Sequence, residues 1–272
     1  MLDAVLIRVS LPGLILAVLP RIDPDPTLLV PVAAAWGSLA LLAAAAWALA
    51  RVARLDRAAT GTLLLVLPLA NSSFLGFPAI EALLGADHLP AAVVYDQLGS
   101  FLALATYGAV VAARYGGGVA PTVGTTLRRL VAFPPFLAVV VAGAVLLAPV
   151  DLPGPVASLA EVLGATVTPL AMIAVGLRLR LGPGGWRPGL LTSALALRLV
   201  VAPAVVLGAA VALGASSTAW NASILESAMP PMVTASVLAA DAGLDARLGA
   251  RLVGVGVLAA MVTLPAWAWV LT

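Results

Sequence analysis

Asn71-Ser72-Ser73-Phe74-Leu75-Gly76-Phe77-Pro78 interrupts an apolar run, with TGTLLLVLPLA before it and AIEALLG after it. A helix in hydrocarbon must satisfy its own backbone N–H and C=O groups, because no water is present to do so. Pro78 has no N–H to offer, and Gly76 weakens the helix further. Two serines and an asparagine stand beside the interruption, where freed backbone groups need partners. A lone motif of this kind fits a simple proline kink as well as a broken helix lining a cavity.

A second interruption decides between them. Ala228-Met229-Pro230-Pro231-Met232-Val233-Thr234 also lies inside an apolar segment, and consecutive prolines cannot continue a hydrogen-bond ladder. Asp87 follows the first motif and Asp241 the second at similar distances, so that 230 − 78 = 152 and 241 − 87 = 154. Pro12 and Pro169 add a third match, 169 − 12 = 157. Together these matches suggest one unit used twice.

Of the 272 residues 62% are hydrophobic and only 10% are charged, with a mean hydropathy of +1.13. Soluble domains carry about 25% charged residues, so this is an integral membrane protein. The isoelectric point near 9.7 is no nucleic-acid signature, because the net charge is only +2. All the basic residues are arginines, nearly all between apolar segments, where lipid head groups are their neighbours. There is no cysteine, so thiol chemistry and disulfides are excluded. The single histidine, His88, reads as a loop residue and cannot make a histidine-rich metal site. Neither a cofactor nor a metal is expected.

A helix needs about 20 apolar residues to cross a bilayer core of roughly 30 Å. Nine segments qualify, near 2–19, 28–50, 60–85, 90–113, 126–148, 155–177, 188–213, 217–240 and 247–271. The first carries Asp3 rather than a basic leader and does not read as a signal peptide. Arginines collect in alternate loops: Arg51, Arg54 and Arg57; then Arg114, Arg128 and Arg129; then Arg178, Arg180 and Arg187; then Arg247 and Arg251. The intervening loops hold Arg21, Asp23 and Asp25, then Asp87 and His88, then Asp151. Positive loops stay cytoplasmic, which puts the amino terminus inside and the carboxyl terminus outside. Trp220, Trp267 and Trp269 then fall near the outer interface and Trp186 near the inner one. The two interruptions lie in the third and eighth spans. This odd shift makes the copies inverted, a recurring plan of secondary transporters with the site at the repeat interface. Spans one to four pair with six to nine, over 1–114 and 126–272, and the fifth is left over.

The same residues resemble the auxin efflux carrier family of membrane transporters, in its prokaryotic branch. The stretch Ala70 to Pro78, followed by Tyr95-Asp96, is similar to its signature, and Phe133-Pro134-Pro135 to its NPP. VTPLAMIAVGL, ALRLVVAP and AMPPMVTASVLAADAGLD resemble its later segments, so the likeness covers nearly the whole chain. The resemblance implies an all-helical fold like that of bile-acid sodium symporters, with two broken helices crossing in a core domain beside a panel domain. By this likeness the core takes spans 28–113 and 188–271, and the panel takes 2–19, 126–148 and 155–177. Relatives usually have ten spans in two inverted sets of five, so the likeness implies an expectation that the first is missing here. This chain departs from the family in having Thr234-Ala235 where many relatives have Asn-Asn, and Glu226 where many have glutamine.

Each break makes a half-helix whose amino-terminal end carries about half a positive charge. Two such ends at mid-membrane attract a carboxylate without a lysine or arginine. Pro78 and Pro231 fit the first turns of the second halves, where a missing N–H costs nothing. Asn71, Ser72, Ser73, Pro78, Pro230, Pro231 and Thr234 are therefore the candidate substrate-binding residues. Their alternative role is to cap freed backbone. Glu226, one turn before Pro230, and Asp96, in the fourth span, are the candidates for coupling an ion. Arg198 in the seventh span is expected to pair with a carboxylate such as Asp96 or Glu161, or to snorkel to the cytoplasmic face, with a role in substrate binding as the alternative. Glu81 is expected at the outer interface.

The reading is a secondary transporter of a small organic anion in the plasma membrane of a prokaryote, working by elevator-like alternating access and coupled to protons. A sodium-coupled symporter, a gated channel and a non-transporting membrane sensor are the alternatives. No Ser-His or lysine dyad, no aspartate pair and no metal-ligand cluster supports an intramembrane enzyme. The expected partners are the organic anion, a proton or sodium ion, and membrane lipid, with a homodimer left open and nucleic acid excluded.

Overall fold

The structure, a computed structural model, describes residues 2–22, 26–117, 122–148, 152–178 and 188–272. Asp23, Asp25, Asp151, Arg180, Trp186 and Arg187 lie outside the described residues, as do the side chains of Arg129 and Arg178. The described chain is all-helical and carries no strand. Among the described residues six helices are long and apolar enough to cross a membrane: α1 (Leu2–Arg21), α2 (Pro26–Val52), α5 (Ala86–Gly116), α8 (Gly154–Leu177), α9 (Pro188–Ala212) and α12 (Ala246–Leu271).

The other expected spans take different forms. The third is two pieces, α3 (Arg57–Val66) and α4 (residues 72–83), and the eighth is α10 (Thr218–Ser227) and α11 (Val233–Asp241). The fifth splits into α6 (Val123–Val131) and α7 (Pro134–Leu147). Its expected start at 126 is corrected to Pro134: Pro134-Pro135 can open a helix but cannot sit inside one.

The two interrupted segments are built alike. Asp56 starts α3 by accepting a hydrogen bond from the Ala59 N–H at 2.8 Å, and Ser217 starts α10 by accepting one from the Trp220 N–H at 3.4 Å. Both helices then run ten residues and stop. Pro68 follows the first, and Pro230-Pro231 the second, so neither ladder can continue. Asp56 and Ser217 stand 217 − 56 = 161 residues apart, and Ala70 and Pro231, which face each other across the interruptions, stand 231 − 70 = 161 apart. This corrects the register of the repeat. Pro78 has no proline partner; the structural equivalent of Pro231 is Ala70. Past the breaks the copies differ, since α4 is longer than α11. Gly85 and Gly243, with φ of +97° and +72°, close them at a separation of 243 − 85 = 158.

Helix α1 packs against α7 and α8. Gly13 and Gly164 let α1 and α8 approach closely: a methyl on Gly13 would lie 2.7 Å from Leu163 Cβ, and one on Gly164 2.9 Å from Leu14 Cα. Small residues at such crossings are how membrane helices gain van der Waals contact. The Ser10 and Thr166 hydroxyls meet at 2.7 Å beside it. At one end of the bundle Arg57 donates to the backbone carbonyls of Arg114 (2.7 Å) and Tyr115 (3.1 Å), tying together the loops after α2 and α5. The opposite end carries Arg21, Asp87 and Thr218 around one cavity.

Candidate functional site at the crossing of two broken helices

The two breaks cross through their backbones. The Asn71 N–H donates to the Pro230 carbonyl at 2.9 Å, and the Met232 N–H donates to the Leu69 carbonyl at 2.8 Å. This is one rung of antiparallel pairing between Ala70 and Pro231 in an otherwise helical protein. It satisfies backbone groups that the breaks release in a dry interior, which is what an irregular segment at this depth requires. The crossing therefore lies at Ala70–Asn71 and Pro230–Pro231, and Pro78 is seven residues beyond it.

Pro78 is not at the start of its half-helix. That helix begins at Ser72 with one wide turn, Ser72–Gly76, in which the Gly76 N–H reaches back five residues to the Asn71 carbonyl at 3.1 Å. Pro78 follows in the regular turn Phe77–Leu83. The wide turn resets the ladder just ahead of a residue that cannot donate to it. Pro231 sits in the extended break itself, and α11 starts two residues later.

Asp96 gathers the first break from behind. Its Oδ1 accepts hydrogen bonds from the Ser72 hydroxyl at 2.6 Å and the Ser73 hydroxyl at 2.7 Å, and its Oδ2 accepts one from Gln97 Nε2 at 2.6 Å. The serines are thus held by a side chain, and neither Asn71 nor Met232 caps its half-helix with a side chain. Gln97 was not among the expected residues. It adjoins Asp96 in sequence, and adjacent residues on an α-helix do not face one another; here they lie on the wide turn Tyr95–Phe101.

Glu226 ends α10 with no accessible surface, and neither carboxyl oxygen has a hydrogen-bond partner. It presses on Gly76 of the opposite break, where a methyl group would lie 2.6 Å from both oxygens. The Asn71 side-chain nitrogen is also buried without a partner. Buried polar groups are paired in the great majority of cases, and here Glu226, the Asn71 nitrogen, Gln97 Oε1 and Arg198 Nη2 all lack a partner. Thr234 is exposed on the first turn of α11 and does not join them.

Arg198 overturns its expectation. It is fully buried, so it does not snorkel, and it pairs with neither Asp96 nor Glu161. Its Nε donates to the Met229 carbonyl at 2.7 Å and its Nη1 to the Pro68 carbonyl at 3.2 Å. These carbonyls end the first halves of both broken helices, and such ends attract cations. Glu161 instead forms an ion pair with Arg21, and Glu81 accepts from the Thr168 hydroxyl at 2.8 Å.

Two cavities open at the end of the bundle that carries Arg21. One of about 470 Å³ is lined by Arg21, Thr27, Asp87, Pro90 and Thr218 among others. The other, about 230 Å³, is lined by Leu14, Phe77, Glu81, Glu161, Val167 and Thr168. Both share Ala17, Val18, Arg21 and Leu89. Phe77, in the inner wall, is the residue after Gly76, so the smaller cavity reaches one residue from the Glu226 contact.

Residues 26–268 match the family described as membrane transport protein. The chain is 29% identical over 275 residues to an uncharacterized transporter of Methanothermobacter thermautotrophicus, covering 99% of this chain and 88% of that protein. It is 26% identical over 216 residues to one of Methanocaldococcus jannaschii, covering 78% and 68%. The chain belongs to the membrane transport protein family, that of the auxin efflux carriers which its motifs resemble.

Proposed function

We propose that this transporter moves a small organic anion by alternating access and couples that movement to protons. One observation carries the reading: two half-helix starts meet at a hydrogen-bonded crossing beside the unpaired, fully buried carboxyl of Glu226. The starts of α4 and α11, with the unpaired Asn71 side-chain nitrogen and with Ser72 and Ser73 acting through their place at the start of α4, supply the attraction for a carboxylate. Pro230 and Pro231 hold the backbone open. Thr234 completes the substrate set from the exposed side of α11. Glu226 is the proton carrier, and Asp96 serves the coupling by holding Ser72 and Ser73 in place.

Alternating access in this reading is an elevator-like slide of a core, spans 28–113 and 188–271, against a panel formed by α1, α7 and α8. The packing of α1 on α7 and α8 supports the grouping. The cavities between α1, α8, the second half of α4 and the first residues of α5 supply the path from one side. In this reading the protein sits in the plasma membrane with its amino terminus cytoplasmic, which the gathering of Arg51, Arg54, Arg57 and Arg114 at the end opposite Asp87 supports.

Purified protein in liposomes, offered a panel of carboxylates with sodium and pH varied separately, tests the reading. Saturable uptake of one anion, accelerated by a proton gradient and indifferent to sodium, is expected. Flux that never saturates would replace it with a channel, and strict sodium dependence with a sodium symporter.

A further inference from the structure

Arg198 donates to the carbonyls of Pro68 and Met229, and these two positions are equivalent: 229 − 68 = 161, the separation of the facing pair Ala70 and Pro231. One side chain therefore binds the same atom of both repeats. Those carbonyls end α3 and α10, and each helix end is equivalent to about half a negative charge. Two such ends balance one guanidinium. The same separation carries Arg198 onto Gly37 (198 − 161 = 37), which has no side chain, so the charge comes from one repeat alone. Arg198 stands on the wide turn Leu197–Val201 of α9, against the Tyr95 hydroxyl, with no accessible surface. Unwound carbonyls and helix carboxyl ends of this kind are what gather a coupling cation in transporters with broken helices. Here they are already taken.

We propose that Arg198 is a resident counter-cation, a positioning residue that holds the two breaks in register in place of a bound metal ion. It follows that the crossing needs no sodium to keep its geometry. The inference deepens the transport reading and rests on it for the meaning of the crossing. Its test does not, because thermal melting of the purified protein needs no substrate.

Wild-type protein in detergent is melted in choline chloride, then with sodium or potassium chloride at matched ionic strength. The three melts should coincide within about 1 °C. Arg198→Ala should melt lower, and millimolar guanidinium chloride should raise it by about 5 °C or more while leaving the wild type unmoved. The wild type's indifference to sodium is the readout that separates a resident counter-cation from a structural arginine beside a vacant cation site. A sodium-specific rise in the wild-type melt overturns the proposal, and needs no variant to be seen. So does a folded Arg198→Ala protein that melts as the wild type does, or one that ignores guanidinium. Where Arg198→Ala does not fold, Arg198→Lys carries the test. Its ammonium keeps the charge but lacks the fork that spans two carbonyls. It should melt below the wild type in choline chloride without gaining from sodium, and a sodium gain, or a melt equal to the wild type's, overturns the proposal.

Discussion

The two breaks share a backbone plan and differ in how their acidic groups are treated. In the first, Asp96 has three hydrogen-bond donors and organises the start of α4. In the second, Glu226 has none, and α11 starts at an uncapped Met232 with Thr234 turned to the surface. Both carboxyls are buried at the same crossing. A carboxyl whose oxygens are all occupied is suited to holding structure. One left unpaired has free oxygens for a proton, and its cost in isolation gives it reason to take one. The two breaks thus share a backbone frame, and side chains give one an acid with three donors and the other an acid with none.

The largest effect that could break this division is expected at Asp96. Asp96→Ala removes the acceptor of three hydrogen bonds, and bonds to charged groups contribute about 1.5–3 kcal/mol each. A melting temperature lower by on the order of 10 °C is expected, with poor recovery of folded protein by size-exclusion chromatography. A melt unchanged from the wild type would show that Asp96 does not organise the first break.

Gly76→Ala probes the contact between the halves. The added methyl meets the far end of a flexible side chain, so Glu226 is displaced and the backbone is spared. Overpacking costs about 1–3 kcal/mol when a core cannot yield, and a loss at the low end is expected here. Proton-driven uptake should fall far more than the melt, and equal losses in both would argue against a special role for Glu226. The smallest effect belongs to Thr234. Thr234→Val should change stability by no more than about 0.5 kcal/mol, and its influence on the Michaelis constant for the anion measures how far α11 touches substrate.

Much of this arrangement was legible in the sequence, because prolines in apolar runs have few meanings. Pro230 and Pro231 do end their ladder as the sequence suggests, but the proline that ends the first helix is Pro68, ten residues before the Pro78 that the motif singles out. The register was misread for a physical reason. Pro78 looked like the match to Pro230, but the wide turn Ser72–Gly76 lets a helix start six residues before its proline, and such turns leave no pattern of apolar spacing. Arg198 was misassigned because charge suggests a carboxylate, whereas its partners are backbone carbonyls of Pro68 and Met229, which no side-chain pattern announces. Gln97 was hidden for the reason already given by the wide turn at Tyr95. Asn71, Ser72, Ser73 and Glu226 stood out in the sequence because polar groups in hydrocarbon require an explanation, and the structure places all four at the crossing.

The most direct test of the account is Glu226→Gln in liposomes, measured in two modes on the same preparation. Glutamine keeps the size of the side chain and its hydrogen-bonding capacity but cannot exchange a proton. Exchange of anion across the membrane without a gradient should continue, while accumulation driven by a pH gradient should disappear. A Glu226→Gln protein that still concentrates its anion in response to pH would contradict the assignment of Glu226 as the proton carrier.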